Sequence, residues 1–208
     1  MPAALRERFA SQTVVLADLA RLLWLREVLD SGYDRAVWCD ADLLVFDDFV
    51  PAESGDHFGR ECWVQQYGGK LRCYRKIHNA WMQFESGSAT LAFYIDRAQA
   101  LLERAESPVV PQFIGPKLLT AWHNIAAFAV EERVGMLSPL AMRELLSGGD
   151  RALQMLRDGH GDALCALNLS ASYENREADG VLHDGQDYQR LVDELGSGAL
   201  LRRLRGTP

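Results

Sequence analysis

The chain lacks any cysteine pair at metal-ligand spacing. Its four cysteines, Cys39, Cys62, Cys73 and Cys165, stand far apart with no CxxC, which excludes zinc-ribbon patterns and reads as reduced thiols in a cytosolic protein. The five histidines, His57, His78, His123, His160 and His183, form no HExxH or HxxxH helix face, so a histidine zinc site is not predicted. No apolar run approaches the length of a membrane span. The first such run, residues 14–17, meets Asp18, Arg21 and Arg26 at once, unlike the core of a signal peptide. Basic residues are outnumbered, 22 against 29 acidic, for a net charge of −7. That balance argues against a broad phosphate-backbone footprint and against nucleic acid as a partner. Prolines number only 7, and with 48% hydrophobic and 25% charged residues neither disorder nor a fibrous repeat is favoured. A length of 208 residues suits one α/β domain with a proper core. The expectation is a single cytoplasmic domain over 1–208.

What is present is an alternation of helical and strand-like patterns. Apolar spacing predicts a helix over 14–29, through Leu16, Leu19, Leu22, Leu23, Leu25 and Leu29. After a turn at 31–34, residues 36–39 suit a buried strand, Asp40-Ala41-Asp42 follows at its end, and the apolar run resumes over 43–46. Residues 62–67 and 89–95 read as strands, with a Gly-containing polar connection and the 74–85 stretch between them. Helices are expected over 98–105 and 117–128, with a Pro-rich break at 108–111 between them. A strand is expected over 129–137. Ser138-Pro139 is a helix start, since Ser caps free N–H groups and Pro fits the first helical position; Gly148-Gly149 ends that helix. A helix at 151–158, an apolar strand at 163–170 and a capped helix at 184–195 within a tail over 184–205 complete the reading. The class is α/β, a mixed sheet flanked by helices.

Among sixteen Asp, one Asp-x-Asp spacing is expected about once by chance, so its context carries the weight. Two unpaired carboxylates at the end of an apolar strand need compensation, and a divalent cation is the commonest form of it. The carboxyl ends of strands are where α/β sheets bind ligands. Oxygen-only ligation suits Mg²⁺ or Mn²⁺ holding a diphosphate. The plainer alternative is an Asp-rich surface turn.

Residues 33–45, Tyr-Asp-Arg-Ala-Val-Trp-Cys-Asp-Ala-Asp-Leu-Leu-Val, resemble the "yDkvlYLDaDvlV" segment of family 8 glycosyltransferases. Upstream, Asp18-Leu19-Ala20-Arg21 resembles the helix that precedes the triplet in family 8 and in family 32 sugar transferases. Downstream, residues 84–91 resemble the "fNsGvml" segment that starts a strand facing the sugar, with Glu85 where the family has Asn. Residues 114–120 resemble the "tGP.llt" helix start of family 32 and capsule-type enzymes. The likeness covers 14–170. It implies a GT-A fold and a metal-dependent, retaining hexosyl transfer from a nucleotide-diphosphate sugar, a UDP-sugar first, to a carbohydrate or glycolipid acceptor in polysaccharide biosynthesis. Donor contacts would fall on Asp18, Arg21, Asp40, Ala41, Asp42, Gly87 and Lys117. The metal would be held by Asp40, Asp42 and Asn168. Glu85 is a candidate for a catalytic or hydroxyl-binding role, beside the alternative of a solvated loop charge. For Asp18 and Arg21 the alternative is a surface ion pair.

Two departures from those families stand out. Asn168 occupies the place of a His that is commonly the third metal ligand, with His160 as a fallback. The β-α-β unit that usually opens the fold and grips the base has no counterpart before residue 14. Both favour a second reading, a shortened, non-catalytic GT-A-like protein that binds a carbohydrate or a partner. A third is a haloacid-dehalogenase-type phosphatase with Asp40 as nucleophile, against which stands Leu44, where that motif has Thr or Val. Among Trp24, Trp38, Trp63, Trp81 and Trp122, Trp81 is the best candidate for a sugar-stacking platform. The segment 200–205, Leu-Leu-Arg-Arg-Leu-Arg, fits an exposed terminal helix or a peripheral contact with an anionic membrane surface.

Overall fold

A computed structural model describes residues 1–161 and 163–206. The chain divides into two compact units: Met1–Cys39 with Pro51–Phe58 and Ile77–Val130, and Asp40–Val50 with Gly59–Lys76 and Glu131–Pro208. In chain order the elements are α1 (Ala3–Arg8), α2 (Thr13–Asp30), β1 (Arg35–Cys39), β2 (Leu43–Val45), β3 (His57–Tyr67), β4 (Lys70–Glu85), α3 (Ala89–Arg104), α4 (Pro116–Ala126), β5 (Ala129–Glu131), β6 (Val134–Met136), α5 (Pro139–Ser147), α6 (Arg151–Gly159), β7 (Ala166–Asn168), a 3-10 turn (Ala171–Tyr173), α7 (Gly185–Gly196) and α8 (Leu201–Arg205). One sheet has the order β1-β4-β3-β5 and the other β2-β7-β6. The second is mixed, since β2 runs antiparallel and β6 parallel to β7. No helix among the described residues is long and apolar enough to cross a membrane.

In the first unit α2 packs on α3 and β1, and its buried Val15, Leu19, Leu22, Leu25 and Leu29 join Leu91, Tyr94, Ile95 and Phe84 in one core. Phe58 is the hub of its aromatic part. Its ring centroid lies 5.4 Å from that of Phe84, 6.0 Å from Tyr94, 6.3 Å from Trp122 and 4.5 Å from Phe128. The second unit has its own core, in which Leu140, Leu145, Leu153, Leu156, Leu167, Leu191 and Leu195 are buried. The pair α5–α6 forms the crossover between the parallel strands β6 and β7, as such a connection requires.

Two expectations are corrected and one unassigned stretch is placed. Residues 89–95 are not a strand but the first two turns of α3. A short apolar run of this kind does not separate the two states by periodicity. What decides is the cap, Ser88 Oγ accepting from Leu91 N at 2.9 Å, together with burial at Leu91, Tyr94, Ile95, Ala98 and Leu102, which is helical spacing. Residues 74–85, to which the sequence patterns assign no element, are most of β4, whose 77–84 segment is buried throughout. Strands covered on both faces lose alternation, and His78, Asn79 and Gln83, all buried, disguise it further. The expected strand over 129–137 is two short ones, β5 and β6. The β3–β4 hairpin turns on Gly68 and Gly69, with φ of +59° and +74°, the left-handed pair that a two-residue type I′ turn demands.

The helices over 13–30 and 139–147 follow the expected patterns. Ser138 Oγ accepts from Ala141 N, and Asp184 caps α7 through Gln186 N and Asp187 N. The 200–205 tail is α8. Leu200 and Leu204 are buried in the second core, Arg203 donates to the carbonyls of Glu144, Leu145 and Gly149, and Arg205 pairs with Asp47.

Candidate functional site

The Asp40-Ala41-Asp42 triplet forms a tight turn between β1 and β2, closed by Leu43 N donating to the Asp40 carbonyl at 3.0 Å. The β2–β7 ladder sets Leu43 opposite Asn168, and Leu169 N donates to the Asp42 carbonyl at 2.9 Å. Backbone pairing therefore brings together two side chains 126 residues apart. Asn168 Nδ2 donates to Asp42 Oδ1 at 2.6 Å, and Ala171 N donates to Asp42 Oδ2 at 2.9 Å. Asn168 Oδ1 accepts from Ser170 N at 2.9 Å; a backbone N–H can only donate, so this bond fixes which way the amide faces. Tyr188 reaches in from α7, its hydroxyl donating to the Ser170 carbonyl at 3.1 Å. Burial, then the charges of Glu174 and Asp42, push the Tyr188 phenol up to about 12.

Asn168 is buried, while Asp40 and Asp42 are partly exposed. The carboxylate expected to require a cation thus has two protein donors and contact with solvent. Asn168 turns its NH₂ group, not its carbonyl oxygen, toward Asp42, so it orients the carboxylate. Among the described residues no three His, Cys, Asp or Glu side chains group as a metal site. Asp40 and Asp42 are oxygen donors of the kind that a Mg²⁺-type site takes one or two at a time, with phosphate and water completing the shell; both Asp42 oxygens accept hydrogen bonds from the protein. Sequence reasoning singled out Asp40, Asp42 and Asn168 but missed Ser170, Ala171 and Tyr188. Ser170 sits at φ +55°, and no local pattern announces that a bend there aims the next amide at Asp42.

Four proposed donor contacts, Asp18, Arg21, Gly87 and Lys117, belong to the first unit. Asp18 and Arg21 are not a surface pair: they meet at 3.1 Å with side chains 6% and 11% exposed. Asn79 Nδ2 donates to Asp18 Oδ1 at 2.9 Å, and Arg21 Nη1 to the Asn79 carbonyl at 3.0 Å. The Arg21 guanidinium also lies 5.1 Å from the Trp38 ring centroid. Gly115, at the start of α4, closes the cluster, for a Cβ there would stand 2.8 Å from Asn79 Nδ2 and 3.0 Å from Asp18 Oδ2. Lys117, two residues further on, is exposed. Gly87, at φ +74°, makes the turn from β4 into α3. Glu85 ends β4 opposite Arg35, and its N–H donates to Asp56 Oδ1 at 3.1 Å. Trp81 is corrected as a sugar platform because it is fully buried. Trp24 is the exposed one, at 61%, edge-on to Trp38.

His160, the fallback ligand, is committed elsewhere: its Nδ1 donates to the Glu132 carbonyl at 2.8 Å and its ring abuts Gly135. Glu132 takes Arg60 Nε and Nη2 at 2.9 and 2.7 Å. Burial draws the Glu132 carboxyl up, but the Arg60 bonds, the Gly161 amide and the charges of Arg60 and Arg75 outweigh it and hold it below its ordinary 4.5. A group whose folded value is depressed binds fewer protons folded than unfolded, so its stabilisation is present above the unfolded value and lost as pH falls through the folded one. Burial also holds His160 below its ordinary 6.5, which acts in the same direction starting at higher pH. Glu61, raised mainly by burial against the pull of Lys76, acts in the opposite sense. The readout is therefore a difference: the melting-temperature gap between wild type and Glu132→Gln is expected to shrink as the pH is lowered below 4.5, while any change at higher pH belongs to His160, which also feels the Glu132 charge. A gap independent of pH would contradict this assignment.

No family model, curated protein or solved structure matches the chain. What is established is an α/β architecture with two sheets flanked by helices. Its clearest polar constellation in the second unit is the Asp40–Asp42 turn with Asn168, Ala171 and Tyr188 around it.

Proposed function

We propose that the chain is a GT-A-type glycosyltransferase that moves a sugar from a nucleotide-diphosphate donor, with Asp40 and Asp42 as its diphosphate-facing carboxylates. The observation that carries the reading is the 2.6 Å contact between Asp42 and Asn168. It joins the triplet to the strand on which the resembling families carry their third metal-site residue. Mn²⁺ or Mg²⁺ at the two carboxylates would neutralise charge on the departing nucleoside diphosphate. The chain's own part is positioning. Asn168 Nδ2 and Ala171 N hold the Asp42 carboxylate in one orientation, and the bond from Leu43 N to the Asp40 carbonyl fixes the backbone of the turn that carries both residues. Tyr188 stays protonated at neutral pH and holds the Ser170 bend. The likeness to families 8 and 32 supports retention of anomeric configuration, in which the leaving phosphate guides the acceptor and no protein base is needed.

A second reading is favoured by one observation: both Asp42 oxygens already accept hydrogen bonds from the protein. In that case the turn is a structural latch on β7, and the chain binds a carbohydrate or a partner without catalysis. Nucleotide binding separates the two. UDP with Mn²⁺ stabilises a transferase and EDTA abolishes the effect, whereas a latch responds to neither.

A further inference from the structure

Two of the four cysteines meet in the second unit, away from the Asp40–Asp42 turn in sequence and unused by the proposed chemistry. Cys62 lies on β3 and Cys73 on β4. Counting back from the Gly68-Gly69 turn, Cys73 falls across from Val64 and Cys62 across from Arg75, so the thiols occupy diagonal positions on one face of the hairpin. The Glu61–Lys76 ion pair at 3.0 Å agrees with this register. Both sulfurs converge on Gly159 at the end of α6: a Cβ there would stand 2.6 Å from Cys62 Sγ and 3.3 Å from Cys73 Sγ. Cys62 is buried and Cys73 half-buried. That asymmetry is the arrangement of an attacking thiol in front of a resolving one. The neighbouring Cys62 thiol, and then Arg75, draw the Cys73 thiol below its ordinary value, against burial. The Cys73 thiol and burial push Cys62 up.

We propose that Cys62 and Cys73 are a dithiol–disulfide couple that exchanges with low-molecular-weight disulfides of the glutathione type. In the first step the Cys73 thiolate attacks one sulfur of the small disulfide. A Cys73 mixed disulfide forms and one small thiolate leaves. In the second step Cys62 gives its proton to solvent and its sulfur attacks Cys73 Sγ, forming the Cys62–Cys73 bond and expelling the second small thiolate. Two electrons pass from the protein dithiol to the small disulfide, which leaves as two thiols. Diagonal ladder positions hold the Cα atoms further apart than most disulfides do, so the bond forms with a small shift of the hairpin and is readily reduced again.

The test is to incubate the folded full-length chain with oxidised glutathione, alkylate the remaining thiols, digest, and map the cysteine peptides. The expected map has Cys62 joined to Cys73, reversed by dithiothreitol, while exposed Cys39 carries glutathione as an internal measure of exposure to oxidant. In Cys62→Ser, Cys73 is expected to retain its glutathione. In Cys73→Ser, Cys62 is expected to stay reduced. The proposal is overturned if wild-type Cys62 and Cys73 both remain thiols at a glutathione disulfide concentration that fully modifies Cys39, or if they join only after denaturation. The wild-type map decides this even if a serine variant does not fold.

Discussion

Asp18→Ala is expected to destabilise the protein by about 3–5 kcal/mol, the range for breaking one side of a buried ion pair. Asp18 is 5% exposed and accepts from both Arg21 and Asn79. Alanine removes the carboxylate that meets Arg21 and leaves an Asn79 N–H without this acceptor. Each kcal/mol moves the midpoint of a chain this size by roughly 2–4 °C, so the expected fall is about ten degrees. Asp18→Asn keeps an acceptor oxygen and removes only the charge, so its effect is smaller. Because the two side chains are in direct contact, the Asp18→Ala/Arg21→Ala double variant is expected to be less destabilised than the sum of the single variants. Thermal melts of the four proteins measure this. A change below about 0.5 kcal/mol in Asp18→Ala, as for an ordinary surface site, would return the pair to the role that its resemblance to sugar transferases implies, donor contact without a structural share.

Phe58→Ala is expected to cost about 3–5 kcal/mol as well, through a different mechanism, since it leaves a cavity at the centre of four aromatic rings. Phe58 is fully buried. Its neighbours come from β4, α3, α4 and the segment between α4 and β5, so no single side chain can relax into the space. Phe58→Leu removes less volume and is expected to lose less than half as much. Urea unfolding is the measurement, with the midpoint falling and the slope unchanged. A loss under about 1 kcal/mol for Phe58→Ala would mean that this ring cluster does not hold the first unit together.

Much of the architecture was legible where local chemistry decides it. The leucines of α2, Ser138 before Pro139 and Asp184 before α7 each satisfy a helix rule within a few residues, and the structure places elements there. The turn at Asp40-Ala41-Asp42 was legible for the same reason. What failed depends on surroundings. The buried polar groups of β4 find partners from distant segments, as when Gln83 Nε2 donates to the carbonyls of Ala52 and Gly55 at 3.0 and 3.1 Å, so composition alone left a central strand unassigned. Residues 89–95 carry enough apolar content for either state, and Ser88 tips them into a helix. At the site, Asn168 was singled out as an oxygen ligand, yet the Ser170 bend turns its amide the other way. That orientation is set by backbone geometry after β7, which no residue pattern reveals.

The central claim rests on the carboxylate pair at the β1–β2 turn, and the most direct measurement is the melting temperature with UDP, in Mn²⁺ and in EDTA, for wild type and Asp40→Asn. Asp40→Asn is the informative variant because it leaves the Asp42 contacts with Asn168 and Ala171 in place. At about a hundred times its dissociation constant a ligand adds roughly 2.7 kcal/mol, a rise of several degrees. The expected result is such a rise for wild type in Mn²⁺, its loss in EDTA, and its loss in Asp40→Asn, each measured against that protein's own ligand-free midpoint. Equal midpoints with and without UDP and Mn²⁺, repeated with GDP and CDP, would contradict the transferase reading and leave the Asp42–Asn168 contact as a structural latch.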